Sequence, residues 1–221
     1  MTSASRFRLV VFDWDGTLID STAAIVDALR AAAADLGLPV PSRERAAHVI
    51  GVGLFEAIRI AVPTIEREQL PDFVVRYRHH YFALDQRLEP FAGVPQLLGE
   101  LVDAGAWLAV ATGKSRAGLD RALKQTDWAR HFVTTRCADE GAPKPDPWML
   151  RDICEEVGVD PVEVLMVGDT THDLGMARAA GTGAIAVTYG AHPRGELETE
   201  PSLAMVDSIV ELRESLLARV R

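Results

Sequence analysis

The segment Val10-Val11-Phe12-Asp13-Trp14-Asp15-Gly16-Thr17-Leu18 restricts the fold of this chain more than any other part of it. The residues before Asp13 are continuously apolar, which predicts a β-strand that is covered by helices on both faces. Asp13 and Asp15 then lie at the C-terminal end of this strand, where open α/β sheets place their functional groups. Because two neighbouring carboxylates repel each other, the pattern favours a bound divalent cation, although solvated aspartates in an edge turn would give the same motif.

The composition of the chain narrows its possible partners. The 221 residues are 48% hydrophobic and carry a formal net charge of −9, which is typical of a globular protein that attracts neither nucleic acid nor an anionic membrane. No apolar run reaches the roughly 18 residues that a membrane span needs, and the N-terminus lacks the apolar core of a signal peptide. Two cysteines are too few for a disulfide framework. We therefore expect a cytoplasmic protein with no nucleic acid and no membrane partner.

A helical block follows the first strand. Between about residues 22 and 85 the apolar residues recur at helical spacing, and no segment has the pattern of a strand. Asp20 or Ser21 can cap the first helix, and further helices are expected to begin near Ser42, Leu54 and Thr64. We assign residues 17–89, which include both connecting hinges, to an all-helical cap domain.

Strands and helices alternate after this block. Apolar strands are expected at 107–111, 132–135, 164–167 and 184–187, with helical segments between them and one more short strand at 204–206. Alternation of this kind predicts an α/β fold with a parallel, Rossmann-like sheet and helices on both of its faces. Residues 1–16 and 90–221 then form the α/β core, into which the helical cap is inserted.

The ends of the later strands carry residues suited to phosphate or metal chemistry. Thr112 and Gly113 follow the second core strand, where a hydroxyl and a backbone amide can donate hydrogen bonds to a phosphoryl oxygen. Lys144 lies in a proline-rich loop that fixes the position of its charge. Asp169 at a strand end and Asp173, four residues later in the first turn of a helix, can supply oxygen ligands to Mg²⁺. Each feature alone is also explained by a helix cap or a solvated side chain.

The order and placement of these segments resemble the haloacid-dehalogenase-like hydrolase superfamily. Its four motifs correspond to Asp13-Trp14-Asp15-Gly16-Thr17, Thr112-Gly113, Lys144-Pro145 and Gly168-Asp169 through Asp173. The resemblance covers essentially the whole chain, including a helical cap inserted after the first motif. The segments 16–21, 50–54 and 137–140 are similar to those of the phosphoglycolate-phosphatase-like group.

The resemblance implies a catalytic role for four of these residues. Asp13 would be the nucleophile that attacks phosphorus and forms an aspartyl-phosphate. Asp15 would protonate the leaving oxygen and then activate the water that hydrolyses the intermediate. Thr112 and Lys144 would hold the phosphoryl oxygens and offset their charge in the transition state, and Gly113 is expected to bind substrate beside them.

The resemblance also implies Mg²⁺ as the cofactor. The ligands would be Asp13, the backbone carbonyl of Asp15, and Asp169. Asp173 would belong to the same metal site and would orient Lys144 or a metal-bound water. The cation would keep Asp13 ionised beside a phosphate dianion that otherwise repels it.

Substrate choice is assigned to the cap. Gly51 and Gly53 permit close backbone approach, so residues 51–54 are expected to form the substrate-binding loop that faces Asp13. The expected reaction is hydrolysis of a small phosphorylated metabolite, 2-phosphoglycolate or a similar phosphate monoester, by a monomer or homodimer. The presence of Asp15 argues against dehalogenation and phosphonate cleavage. A phosphomutase of the β-phosphoglucomutase type remains an alternative, and a catalytically idle binding protein is a third.

Overall fold

The computed structural model describes residues 7–85 and 88–220. Within this part of the chain, six strands form one sheet; they are β1 (Leu9–Phe12), β2 (Trp107–Thr112), β3 (Thr134–Cys137), β4 (Val164–Gly168), β5 (Gly183–Val187) and β6 (Ala204–Val206). The strand order is β3-β2-β1-β4-β5-β6, and every neighbouring pair is parallel. The order reverses between β1 and β4, so their carboxyl ends form the crevice in which doubly wound sheets bind ligands.

Residues 22–85, which follow β1 and which we call the helical insert, contain four α-helices. They are α1 (Thr22–Asp35), α2 (Arg43–His48), α3 (Leu54–Ala61) and α4 (Leu70–Asp85). Helix α1 packs along α4, and the apolar side chains of the insert form a cluster of their own. The chain enters and leaves the insert side by side, because Ile19 pairs with Pro90. The division into core residues 1–16 and 90–221 and cap residues 17–89 remains a prediction, and residues 86–87 of its second hinge lie outside the described residues.

Six further helices cover the sheet. They are α5 (Val94–Asp103), α6 (Arg116–Thr126), α7 (Trp148–Val157), α8 (Thr171–Ala180), α9 (Arg194–Leu197) and α10 (Ile209–Leu217). Val10 and Phe12 of β1 belong to the apolar layer that includes α5, α6 and α10, whereas Leu9 and Val11 belong to the opposite layer with α7, α8 and α9. Strand alternation therefore sends successive side chains into two cores, which explains why β1 is apolar at every position. The predicted α/β fold class is confirmed.

Two predicted boundaries differ from those of the structure. The helix expected near Thr64 begins at Leu70, because a short 3₁₀ helix comes first, with a capping box between Glu66 and Gln69. The strand expected at 132–135 is β3, which starts two residues later because residues 129–131 form a 3₁₀ turn. None of the helices within residues 7–85 and 88–220 combines the length and the apolar character that a membrane crossing requires.

Candidate active site

The carboxyl ends of three strands bring most of the predicted residues to one edge of the sheet. Asp13 follows β1, Thr112 ends β2 and Asp169 follows β4. The backbone amide of Asp13 donates to the carbonyl of Val167 over 2.9 Å, which joins the end of β1 to that of β4. Lys144 reaches the same place from the loop between β3 and α7. The edge therefore unites residues that are far apart in the sequence.

Lys144 lies between two carboxylates. Its Nζ donates to Oδ1 of Asp13 and to Oδ1 of Asp173, in both cases over 2.6 Å, and all three side chains are buried. Burial by itself lowers the pKa of a lysine, but the attraction of Asp13 and then of Asp173 outweighs it, so the pKa of Lys144 is raised. Lys144 is thus a fixed ammonium ion.

Asp169 is held on both of its carboxylate oxygens. Thr17 Oγ1 donates to Oδ1 over 2.8 Å, and the backbone amide of Ala191 donates to Oδ2 over 2.7 Å. Burial, followed by the repulsion of Asp173, raises the pKa of Asp169 to about 7 in spite of these hydrogen bonds. Gly16 makes this packing possible, because its φ is +83° and a Cβ there would lie 2.3 Å from Oδ2 of Asp169. The first and fourth predicted motifs are therefore in direct contact.

The charges of this cluster do not balance. Oxygen atoms of Asp13, Asp169 and Asp173 lie within 4.8 Å of one another, and Lys144 supplies one positive charge among them. Burial, only partly offset by Lys144, raises the pKa of Asp13 well above its ordinary value. Oδ2 of Asp13 is buried and has no hydrogen-bond partner. A hard divalent cation fits a set of oxygen donors with excess negative charge and one unused carboxylate oxygen.

The side chain of Asp15 lies outside this carboxylate cluster. Its Oδ1 accepts a hydrogen bond from Ser21 Oγ over 2.7 Å and lies 3.0 Å from Lys114 Nζ. Lys114 Nζ also donates to the hydroxyl of Tyr81 in α4 over 2.9 Å. Burial disfavours the charged form, but the attraction of Asp15 and the contact with Tyr81 together raise the pKa of Lys114. Lys114 therefore joins Asp15 to the helical insert. The predicted metal contact of Asp15, through its backbone carbonyl, remains a prediction.

The loop before α3 comes close to the carboxyl edge of the sheet. A Cβ on Gly113 would lie 2.7 Å from the carbonyl oxygens of both Gly51 and Val52, so only glycine allows this approach. Gly51 itself has a φ of +98°, and a Cβ there would lie 3.1 Å from Oγ1 of Thr170. A Cβ on Gly53 would meet the Cβ of Ala138 at 3.3 Å. Both predicted loop glycines thus contact the core.

A cavity of about 540 Å³ lies between the helical insert and the sheet. The predicted site residues that line it are Asp13, Asp15, Gly51, Gly53 and Gly113. The other four predicted residues are buried and do not line it; they are Thr112, Lys144, Asp169 and Asp173. The cavity therefore meets the cluster at Asp13.

Three contributors to the site were missed in the sequence. Lys114 follows Thr112-Gly113 directly, and its position two residues after a strand end could have revealed it. The sequence predicts Asp20 or Ser21 as a helix cap, yet the Ser21 side chain makes no cap hydrogen bond and instead donates to Asp15. Ala191 acts through its backbone amide, for which the sequence gives no signal.

Fold and site together define a class of protein. It is a doubly wound α/β protein with buried carboxylates at the carboxyl edge of a parallel sheet, and with a helical insert that encloses a cavity over them. Residues 10–187 match the family model described as haloacid dehalogenase-like hydrolase. The chain belongs to this family.

Several relatives extend over nearly the whole chain. The probable phosphatase IndB of Dickeya dadantii is 36% identical over 92% of this chain and 91% of its own length. The N-acetylmuramic acid 6-phosphate phosphatase of Pseudomonas aeruginosa is 32% identical over 93% and 91%. The phosphoglycolate phosphatase of Agrobacterium fabrum is 31% identical over 100% and 97%, which places the chain near the phosphoglycolate-phosphatase-like group. A haloacid dehalogenase-like hydrolase from Bacteroides fragilis has the same fold, with a TM-score of 0.84, 25% identity, and coverage of 94% of this chain and 100% of that one.

Proposed function

We propose that this protein is a Mg²⁺-dependent phosphatase that hydrolyses a phosphate monoester of a small organic alcohol through an aspartyl-phosphate on Asp13. One observation carries the proposal. The Asp13 carboxylate is held by Lys144 at the end of β1, and its second oxygen is buried without a hydrogen-bond partner beside the cavity. The names of the relatives, which include three phosphatases, support the same reaction class.

The proposed reaction uses two aspartates in sequence. A carboxylate oxygen of Asp13 forms a bond to phosphorus as the bond to the ester oxygen breaks, and Asp15 gives its proton to that oxygen. Asp15 then takes a proton from a water molecule, whose oxygen bonds to phosphorus as the bond between phosphorus and the Asp13 carboxylate oxygen breaks. Inorganic phosphate leaves, and Asp13 and Asp15 return to their starting states. The position of Asp15 at the cavity wall, outside the carboxylate cluster, suits a group that transfers protons.

The other residues hold charge. Lys144 fixes Asp13 and offsets the charge of the phosphoryl group, and we assign Thr112 and Gly113 to the binding of phosphoryl oxygens. Asp13 and Asp169 are the proposed Mg²⁺ ligands, together with the Asp15 carbonyl. The cation, when bound, supplies charge that makes the attack of one anion on another possible.

The test is phosphate release from a panel of monoesters of primary alcohols, 2-phosphoglycolate among them, with Mg²⁺ or with EDTA. We expect the wild-type protein to release phosphate from at least one ester with Mg²⁺, and Asp13→Asn to release none. Asp103→Asn is the matched control, because Asp103 ends α5 just before β2 begins, at the opposite edge of the sheet from Asp13. Acid quenching with an ester labelled in its phosphoryl group should trap label on the wild-type protein and on Asp103→Asn, but not on Asp13→Asn.

Three outcomes would overturn the proposal. Equal release by Asp13→Asn and wild type would reject the nucleophile. An isomerised ester in place of free phosphate would favour the phosphomutase alternative. Absence of turnover with every ester would favour a binding protein.

A further inference from the structure

The cavity is large for a two-carbon acid. Its volume is about 540 Å³, and it extends from Asp13 and Asp15 into the helical insert. Cavities of roughly 300–1,000 Å³ typically enclose ligands of drug size. The phosphoryl group occupies the end at Asp13 in the proposed reaction, so most of the remaining volume is available to the alcohol part of the substrate.

The wall of this remaining volume is rich in aromatic side chains. Phe55 comes from α3, whereas Tyr77, Tyr81 and Phe82 come from α4. The rings of Tyr77 and Tyr81 are stacked, with centroids 5.8 Å apart and planes inclined by 14°. Aliphatic side chains of α1 complete the apolar wall. Flat aromatic walls of this kind favour a planar ligand that can stack on them.

Two of the aromatic side chains are largely exposed to solvent. Phe55 is 60% exposed and Phe82 is 44% exposed, although both line the cavity. Exposed aromatic surface is disfavoured in water, and a ligand that covers it gains the free energy of its burial. The guanidinium of Arg121 lies 4.2 Å from the centroid of the Phe82 ring and covers one face of this ring.

The cation nearest to Asp15 is already engaged. Lys114 lies 3.0 Å from Asp15 and donates to Tyr81 over 2.9 Å. A substrate carboxylate that bound Lys114 would therefore compete with Asp15 for the same ammonium ion. The basic residue that contacts Asp15 is thus already paired, whereas Arg78 of α4 and Arg121 of α6, which also line the cavity, come from other parts of its wall.

We propose that the alcohol part of the substrate carries a planar ring, which packs against the aromatic side chains of α3 and α4. This inference rests on the proposed phosphatase function and names its substrate class. The preferred substrates are then ring-bearing phosphate monoesters, and acyclic monoesters such as 2-phosphoglycolate are poor ones.

The first experiment compares esters with matched leaving groups. Benzyl phosphate and uridine 5′-monophosphate carry rings, whereas propyl phosphate and 2-phosphoglycolate are acyclic; all four are esters of primary alcohols, so their intrinsic reactivity is similar. We expect kcat/KM to be about tenfold or more higher for the better ring-bearing ester than for either acyclic one, mainly through KM.

The second experiment uses variants of the wall. Phe55→Ala and Phe82→Ala change exposed side chains, so the fold should persist, which circular dichroism checks. Each should lower the ratio of kcat/KM for benzyl phosphate to that for propyl phosphate by about three- to tenfold. The controls Ile60→Ala in α3 and Val75→Ala in α4 change exposed residues that do not line the cavity, and they should keep the wild-type ratio.

The possible results distinguish a failure of the proposed substrate class from a failure of the proposed phosphatase function. Faster turnover of 2-phosphoglycolate or propyl phosphate than of both ring-bearing esters would overturn the proposed substrate class but would agree with the proposed phosphatase function. An unchanged ratio in both phenylalanine variants would overturn the role of the aromatic wall. Absence of turnover for all four esters would instead refute the phosphatase proposal.

Discussion

Replacement of Lys144 by methionine tests whether the site contains an excess of negative charge. The ammonium nitrogen lies 2.6 Å from a carboxylate oxygen of Asp13 and of Asp173, and all three side chains are buried. Methionine keeps much of the volume and removes the charge, so two buried carboxylates lose their common partner. Loss of one member of a buried ion pair costs about 3–5 kcal/mol, a large part of the roughly 5–15 kcal/mol by which a domain is stable.

Asp13→Asn should have the opposite effect on stability, although both variants should be inactive. Burial raises the pKa of Asp13 above its ordinary value, so its ionised form destabilises the folded, metal-free protein at pH 8. The neutral amide removes this cost, while Asp173 continues to accept a hydrogen bond from Lys144. We expect the free energy of unfolding of Asp13→Asn to equal or exceed that of the wild type in EDTA.

Urea denaturation in EDTA at pH 8 measures both effects. With a slope of about 2 kcal/mol per molar urea, Lys144→Met should lower the midpoint by about 2 M. Lys124→Met is the matched control, because Lys124 is exposed on α6, and it should change stability by less than about 0.5 kcal/mol. A loss of stability in Asp13→Asn as large as that in Lys144→Met would refute the reasoning, since the ion pair itself would then outweigh the excess of carboxylates.

Three further predictions follow from the same contacts. Because the pKa of Asp169 is about 7 in the folded protein and lower in the unfolded chain, the folded state binds more protons between about pH 4 and pH 7. The free energy of unfolding in EDTA should therefore fall as the pH rises from 5 to 7, with a shallower slope in Asp169→Asn. Equal slopes for the two proteins would contradict this. Gly16→Ala should abolish phosphatase activity and lower the free energy of unfolding by well over the roughly 1–2 kcal/mol expected for Gly37→Ala. Both glycines have a positive φ, but only Gly16 lies against a side chain. Similar urea midpoints for the two variants would count against the packing argument. Tyr81→Phe should cost about 1 kcal/mol of stability and lower kcat more than KM, because Lys114 loses a hydrogen-bond acceptor next to Asp15. Kinetics that match those of the wild type would show that this contact is dispensable.

The sheet was the part of the fold most easily predicted from the sequence. A strand with both faces covered must be apolar at every position, and β1 meets this condition because α5 and α7 pack on its two sides. Boundaries in the helical insert were harder, since α4 is preceded by a 3₁₀ helix in which the side chains of Glu66 and Gln69 accept hydrogen bonds from each other's backbone amides. Such local bonds compete with helix formation and leave little trace in the apolar pattern.

Within the site, contacts made by side chains in sequence motifs were easier to predict than contacts made by the backbone. Asp13 and Asp173 belong to motifs that follow the neighbouring strands β1 and β4, and Lys144 joins them from the loop between β3 and α7. The two hydrogen bonds that hold the Asp169 carboxylate could not both be predicted. One of them comes from the backbone amide of Ala191, and any residue other than proline has such an amide. The pairing of Lys114 with Tyr81 depends on how α4 lies over the sheet, which is a tertiary contact.

Asp13 and Asp15 are separated by one residue, yet their surroundings divide the proposed chemistry between them. Within the described residues, one carboxylate oxygen of Asp13 accepts a hydrogen bond from Lys144 of the core, and the other is buried without a hydrogen-bond partner. Asp15 contacts Lys114, whose second partner, Tyr81, belongs to the helical insert. A nucleophile needs a fixed position beside the phosphorus atom, whereas a group that exchanges protons with the leaving alcohol must face the part of the cavity where that alcohol lies. The different partners of the two carboxylates therefore favour Asp13 as the nucleophile and Asp15 as the acid and base, rather than the reverse assignment.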